Sequence, residues 1–534
     1  MRKPNLFSRR PLIALPRDGQ PIAGSDSDYI RISFGDATYG VFVVGGTGAG
    51  KTESIMRPAL SELLTHGCAG LVLDVKGDYS SMCREEFSDR TVIVGTSEGA
   101  TPVNLLAGMT ADRFRQVLAG FTDEMRNSTT NSNYFAAMGA DAAYLIFLFV
   151  RLGLEREPTL ADIAFYLTRP RDFCRDLLRA EDSGARLPPV LAEEIRQQSG
   201  NPFSILAVSG YLVRDPGYPT DKTQVEQFAW ASNYLRTALG PFASNPILRQ
   251  QFSASAALDF GQLLYVEGRT VVLDCPQARY GAVSSAVSRL LRLQFQDAIR
   301  LSSAATRERA GIGSTRYSFL LADEYQVHIS GRNGGEVFAD ADWFSTSRSY
   351  GHINIVATQG LSMLYARTDR ATVDAVVQNC RSKIFLGVED EASLDLASLL
   401  GLDQADSVRR QLLYSSGLGT GFVYVKHCSA EGGRTVAARF ACRPDTDYAF
   451  MGRYIGRDFD PLPAIDENDH QGAPFILAAR PSGDVKTATP PVQPQTASME
   501  WVCELLAPPS PPTAKPDGPD ALVVPGSDAS GSRD

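Results

Sequence analysis

Residues 41–60, VFVVGGTGAGKTESIMRPAL, constrain the fold of this chain more than any other stretch. Four apolar residues suit a buried strand, and a glycine-rich turn then leads into a helix on which Ile55, Ala59, Leu60, Leu63 and Leu64 share one face. Gly67 ends that helix. The turn fits G-x-x-x-x-G-K-[ST] through Gly45, Gly50, Lys51 and Thr52, with Gly46, Thr47, Gly48 and Ala49 between. Glycines let such a loop curl until its backbone N–H groups converge on phosphate oxygens, and the following helix turns its positive end to the same point. Lys51 is expected to reach the β and γ phosphates of ATP and the Thr52 hydroxyl to ligate Mg2+.

A strand, loop and helix in that order open an α/β fold, and the rest of the chain continues it. GLVLDVKGD and RTVIVG are unbroken apolar runs, as buried parallel strands require. Sheet signals resume at GRTVVLDC, YSFLLADE, HINIVATQ, SKIFLGV and TGFVYV, separated by helical stretches. Between the two groups the period is helical: Phe114, Val117, Leu118, Phe121 and Met125 keep one face, and TLADIAFYL opens with a Thr159–Asp162 capping box. The expected organisation is a discontinuous nucleotide-binding domain, 1–104 and 258–475, bracketing an all-α domain, 105–257. The Pro-rich segment 476–534 is too poor in apolar residues to order itself and reads as a disordered tail. Within it, MEWVCELLA is either a remnant or a short docking helix.

Composition narrows the class. A net charge of -9, with 52 Lys plus Arg, supplies no global field that draws nucleic acid or anionic lipid, so any such contact is local. The longest apolar runs, such as AAYLIFLFV, fall short of the roughly 20 residues that a spanning helix needs, and a cytoplasmic protein with no transmembrane segment is expected. The 8 cysteines show neither C-x-x-C nor zinc spacing and read as buried thiols.

A phosphate loop needs carboxylates at a neighbouring strand end. Three apolar runs end in aspartate, at Asp74, Asp274 and Asp323, and only Asp323 has a glutamate beside it. One carboxylate to hold a magnesium-bound water and one to orient the attacking water selects Asp323 and Glu324, with Asp74 as the alternative. Gln359 closes the run HINIVATQ, at the strand end where such sheets bind ligands; it either contacts the γ-phosphate or satisfies loop backbone. Arg348 precedes the same run and by itself reads as a surface charge.

The phosphate loop, LVLDVKGDY, TPVNLL, a helical insertion, LLADEY, SRSYGHINIVATQ and NCRSKIFLG follow in an order that resembles the TraG/TraD family of type IV coupling proteins, over roughly residues 38–445. The resemblance implies a RecA-like P-loop ATPase with a mainly parallel central sheet, interrupted by an all-α domain and assembled as a hexameric ring. It implies that Lys51 and Thr52 are the phosphate and magnesium residues, Asp323 and Glu324 the Walker B pair, Gln359 the sensor and Arg348 an arginine finger for the neighbouring subunit's site. Its implied partners are DNA bound without sequence specificity, a relaxase or other cargo protein engaged by the all-α domain, and secretion components at the inner membrane. Family members carry N-terminal membrane helices, whereas about 40 residues precede the loop here. Peripheral recruitment to the membrane or a soluble branch of the family is therefore expected. Two other readings stay open: a pump of the FtsK/HerA type on duplex DNA or a protein-secretion ATPase, and a nucleotide-dependent docking scaffold with slow turnover.

Overall fold

The computed structural model describes residues 9–18, 28–123, 130–182, 186–302, 317–331, 340–400, 408, 412, 419–427 and 434–442. Cys428, Cys503, the tail 476–534 and its MEWVCELLA segment lie outside these residues. The strands are β1 (Pro11–Pro16), β2 (Tyr29–Ser33), β3 (Val41–Val44), β4 (Ala69–Asp74), β5 (Thr91–Gly95), β6 (Thr270–Asp274), β7 (Ser318–Ala322), β8 (His352–Thr358), β9 (Ser382–Leu386), β10 (Thr420–Lys426) and β11 (Thr435–Ala441).

Nine of these form one sheet in the order β11-β10-β9-β3-β8-β7-β4-β6-β5. From β9 to β5 every pairing is parallel, and β10 and β11 add an antiparallel hairpin at one edge. The central strands are buried on both faces, as their continuous apolar runs dictate. Side chains alternate between the two faces: Phe42, Val44, Leu71, Leu73, Leu320 and Val356 join one core, while Val41, Val43, Val72, Leu321, Ile353 and Ile355 join the other. The second core is closed by the helix after the phosphate loop and by the separate antiparallel pair β1–β2.

The stretch between β5 and β6 is helical, including Ala111–Asp123, Thr130–Leu148, Leu160–Thr168, Pro170–Asp182, Pro189–Gln198 and Lys222–Ser244. Thr159 and Asp162 form the anticipated capping box: the threonine hydroxyl accepts from the Asp162 N–H and the aspartate accepts from the Thr159 N–H. Phe149, Tyr166 and Phe173 meet edge to face inside this region. Its buried side chains run without a break into the first core of the sheet, so the helices and the sheet share one apolar interior. Among the described residues no helix is long and apolar enough to cross a membrane. Cys68, Cys83, Cys174, Cys275 and Cys380 are buried.

Candidate nucleotide site at the C-terminal edge of the sheet

Parallel strands place the ends of β3, β4, β7 and β8 on one edge, and the phosphate loop begins there. Gly45 N–H donates to the Thr358 carbonyl and Gly46 N–H to the Gly387 carbonyl, which fasten the loop to the ends of β8 and β9. Those two N–H groups are spent on the sheet, so phosphate contacts fall to the rest of the loop, where Thr47 and Gly48 are exposed. Gly50 sits at φ +92, and a Cβ there would lie 2.8 Å from the Gly419 nitrogen, so no other residue fits. Behind the loop the chain enters a widened helical turn, Thr52–Met56, and then the helix Arg57–Thr65, aiming an N-terminal end at the loop.

Lys51 is buried and donates to the carbonyls of Gly45 at 2.6 Å and Gly46 at 3.1 Å. Its ammonium thus closes the loop on itself. Burial pulls its pKa below the usual lysine value, against the pull of Asp323 and Glu324.

Opposite stands the acidic pair. Thr52 Oγ1 donates to Asp323 Oδ2 at 2.8 Å, and Tyr79 Oη donates to the same oxygen at 3.0 Å. Asp323 Oδ1 accepts from the Glu324 N–H at 2.9 Å. Glu324 has φ 51 and ψ 47, a left-handed conformation that L-residues with a side chain seldom adopt. This turn lets a residue just beyond the strand keep its carboxylate at the sheet edge. There Oε1 accepts from Lys76 Nζ at 2.5 Å, and Oε2 accepts from Gln326 Nε2 at 2.6 Å and from Gln359 Nε2 at 2.8 Å. Burial raises the carboxyl's pKa, but the Lys76, Gln326 and Gln359 donors outweigh it and the net shift is downward. Gln326 is itself fixed, accepting from Thr358 Oγ1 at 2.9 Å.

Asp74, the alternative carboxylate, has other work. Its Oδ1 accepts from the N–H groups of Lys76, Gly77 and Asp78, and its Oδ2 from those of Tyr79 and Ser80. The turn closes because Gly77 takes φ +86, and the helix Asp78–Glu86 follows. Burial pushes the Asp74 carboxyl up to about 6, ahead of the opposing pull of those donors, and nearby Asp274 adds to the rise.

Arg348 is not at this edge. It lies exposed on the turn Ser347–Tyr350 at the start of β8, its guanidinium 4.4 Å from the centre of the Tyr39 ring. The seven residues of β8 separate it from Gln359, about 20 Å at strand rise. The structure therefore brings Lys51, Thr52, Asp323, Glu324 and Gln359 together and leaves Arg348 on the far end of the sheet.

Three residues at this edge were missed in the sequence: Lys76, Tyr79 and Gln326. The first two stand in LVLDVKGDY, where the lysine and the tyrosine flank the glycine that turns the chain back after a strand end. Gln326, two residues past Glu324, carries no sequence signal of its own.

A family model described as the TraM recognition site of TraD and TraG matches residues 337–421. No curated protein matches the chain in sequence. Among solved structures, the plasmid coupling protein TrwB in complex with ADP and Mg2+ is similar at 14% identity and a TM-score of 0.51, over 83% of this chain and 97% of that one. The same protein with the non-hydrolysable ATP analogue ADPNP is similar at 14% identity and 0.50, over 80% and 92%. VirB4 of Thermoanaerobacter pseudethanolicus is similar at 15% identity and 0.50, over 81% and 97%. These likenesses give the fold, that of RecA-like P-loop proteins. The matched family segment carries both Arg348 and Gln359.

Proposed function

We propose that this chain is an ATP-driven coupling protein, hydrolysing ATP to move DNA with its attached protein toward a type IV secretion apparatus. One observation carries the reading: the hydroxyl that follows the phosphate-loop lysine bonds a strand-end aspartate 271 residues away, with a glutamate on the next residue. Binding alone needs no second carboxylate. Turnover needs one to orient water.

The donor set suits magnesium. Thr52 Oγ1 and Asp323 Oδ2 are hard oxygens from opposite walls of the cleft, 2.8 Å apart, and would hold the ion directly or through its waters. When bound, the ion neutralises charge on the phosphates. Lys51 leaves the loop carbonyls for the phosphate oxygens, and Glu324 takes a proton from the attacking water. Gln326 and Gln359 hold the glutamate in place.

Arg348 lies at the opposite end of the sheet from its own loop, so in this reading it serves the site of a second copy. A ring of copies, a hexamer by resemblance, meets that need, with the segment 105–257 as the all-α domain that engages cargo. TrwB, similar in fold, is a plasmid coupling protein. DNA contact is expected through local Lys and Arg on phosphates, hence salt-sensitive and blind to sequence.

The test is ATP turnover by the purified chain over a range of protein concentrations, with single-stranded DNA, duplex DNA or none. The expected result is turnover that rises with concentration and with single-stranded DNA, and that is abolished by Lys51→Ala. Turnover flat against both overturns the motor. Stimulation by duplex alone moves the reading to a duplex pump.

A further inference from the structure

The contact that the proposed chemistry does not use is the one on Glu324 Oε1. A carboxylate that must receive a water proton is met there by the Lys76 ammonium at 2.5 Å. The two partners differ in setting. The Lys76 side chain is 53% exposed and that of Glu324 only 8%, so the lysine reaches in from solvent and its end can leave without unpacking anything. Its backbone cannot: Asp74 pins residues 76–80 through five N–H groups.

Neighbours of Lys76 define where its charge can go. Asp323 and Glu324 both act on it, and Lys51 and Lys76 are close enough that each feels the same acidic pair. Thr52 and Asp323 would hold the magnesium ion. Glu324 follows Asp323 at the same strand end, and in the proposed chemistry it faces the water that attacks the terminal phosphate. An ammonium on Glu324 Oε1 would therefore be placed toward the terminal phosphate rather than the inner two. A terminal phosphate brings close to two negative charges against the single charge of the carboxylate.

The geometry points to Lys76 as a triphosphate-specific ligand that exchanges Glu324 for the γ-phosphate and so uncovers Oε1 for the attacking water. This rests on the nucleotide-site reading above. Lys51 is shared by di- and triphosphate; Lys76 is the cation that tells them apart. With ADP it returns to Glu324 and the glutamate is covered again. Gln326 and Gln359 hold Oε2 in both states, so the carboxylate keeps its position while one oxygen changes partner.

The experiment measures equilibrium binding of a non-hydrolysable ATP analogue and of ADP, each with magnesium, to the full chain and to Lys76→Met, Lys76→Arg and Lys51→Ala. Replacing a half-exposed lysine by methionine leaves the core intact, and an unchanged thermal midpoint verifies that. Lys76→Met is expected to weaken the analogue by about 10-fold or more, the worth of a charge-assisted contact, and to leave ADP within about twofold. Lys76→Arg is expected to recover most of the loss. Equal loss for both nucleotides, or no loss for either, overturns the proposal. Lys51→Ala reports on a different claim: undiminished binding of both nucleotides there means that the loop is no phosphate site, whatever Lys76 does.

Discussion

The two ends of the central sheet are built from different materials. At the C-terminal end, Lys51, Lys76, Asp323 and Glu324 gather four ionisable groups, and Asp323 Oδ2 and both Glu324 oxygens accept from side chains of other segments. At the N-terminal end, His352 is buried against Ser318 and Asn354, Trp343 donates to Asn354, and the guanidinium groups of Arg348 and Arg381 lie over Tyr39. The first end holds charges that can change partners. The second buries an uncharged imidazole and presents cations outward, Arg348 and Arg381, both over the Tyr39 ring.

The comparison is broken most severely through Arg348. Arg348→Ala is expected to cut turnover by about 10³-fold or more while leaving nucleotide affinity at the variant's own site unchanged. Mixing it with Lys51→Ala, inactive for the opposite reason, is expected to restore part of the activity, because each supplies what the other lacks. Steady-state turnover of the mixture against each variant alone decides it. Unchanged activity in Arg348→Ala, or a loss of nucleotide affinity in it, removes the division between the two ends.

Glu324→Gln attacks the charged end directly. It removes the base and presents an amide to three donors, so turnover is expected to fall about 10²–10⁴-fold with nucleotide binding retained. Asp74→Asn, one strand away, sharpens the contrast. That carboxylate is saturated by backbone N–H groups, and an amide has only one oxygen to offer them. The expected effect is a loss of about 2 kcal/mol in stability, read by denaturant unfolding, with turnover per folded molecule falling much less than in Glu324→Gln. In the proposed reading Asp74, satisfied by its own turn, is scaffold, and Glu324, satisfied by side chains of other segments, is chemistry. Sequence separated the two only through the glutamate beside Asp323, since LVLD and LLAD look alike until their donors are known.

Much of the remaining fold was legible for a simple reason. Strands buried on both faces must be apolar throughout, so β3 to β9 announce themselves, and the phosphate loop fixes the order of strand, turn and helix. The strands that escaped notice are β1 and β11. PLIALP is framed by prolines and TVAARFA is built of small residues around an arginine, so neither shows a buried run or a clean alternation. In the site, residues at strand ends were found because the strand aims them. Lys76 and Gln326 were not, because a turn set by Asp74 and a left-handed Glu324 aim them, and neither turn has a period to read.

The smallest expected effect tests the neutral end. Burial drives His352 down to about 3, and His328 likewise. Below the ordinary histidine value of 6.5 the unfolded chain takes up a proton that the folded imidazole refuses, so the unfolded state binds more protons and stability falls as pH drops from 6.5 toward 3. At pH 5 the loss is about 2 kcal/mol for each such histidine relative to neutral pH. His352→Gln keeps an acceptor for Ser318 and a donor for Asn354 but cannot titrate. Its unfolding free energy is expected to fall by about 2 kcal/mol less than that of the parent chain between pH 7 and pH 5. Parallel pH profiles for the two chains would mean that the imidazole is protonated in place, against the burial that surrounds it.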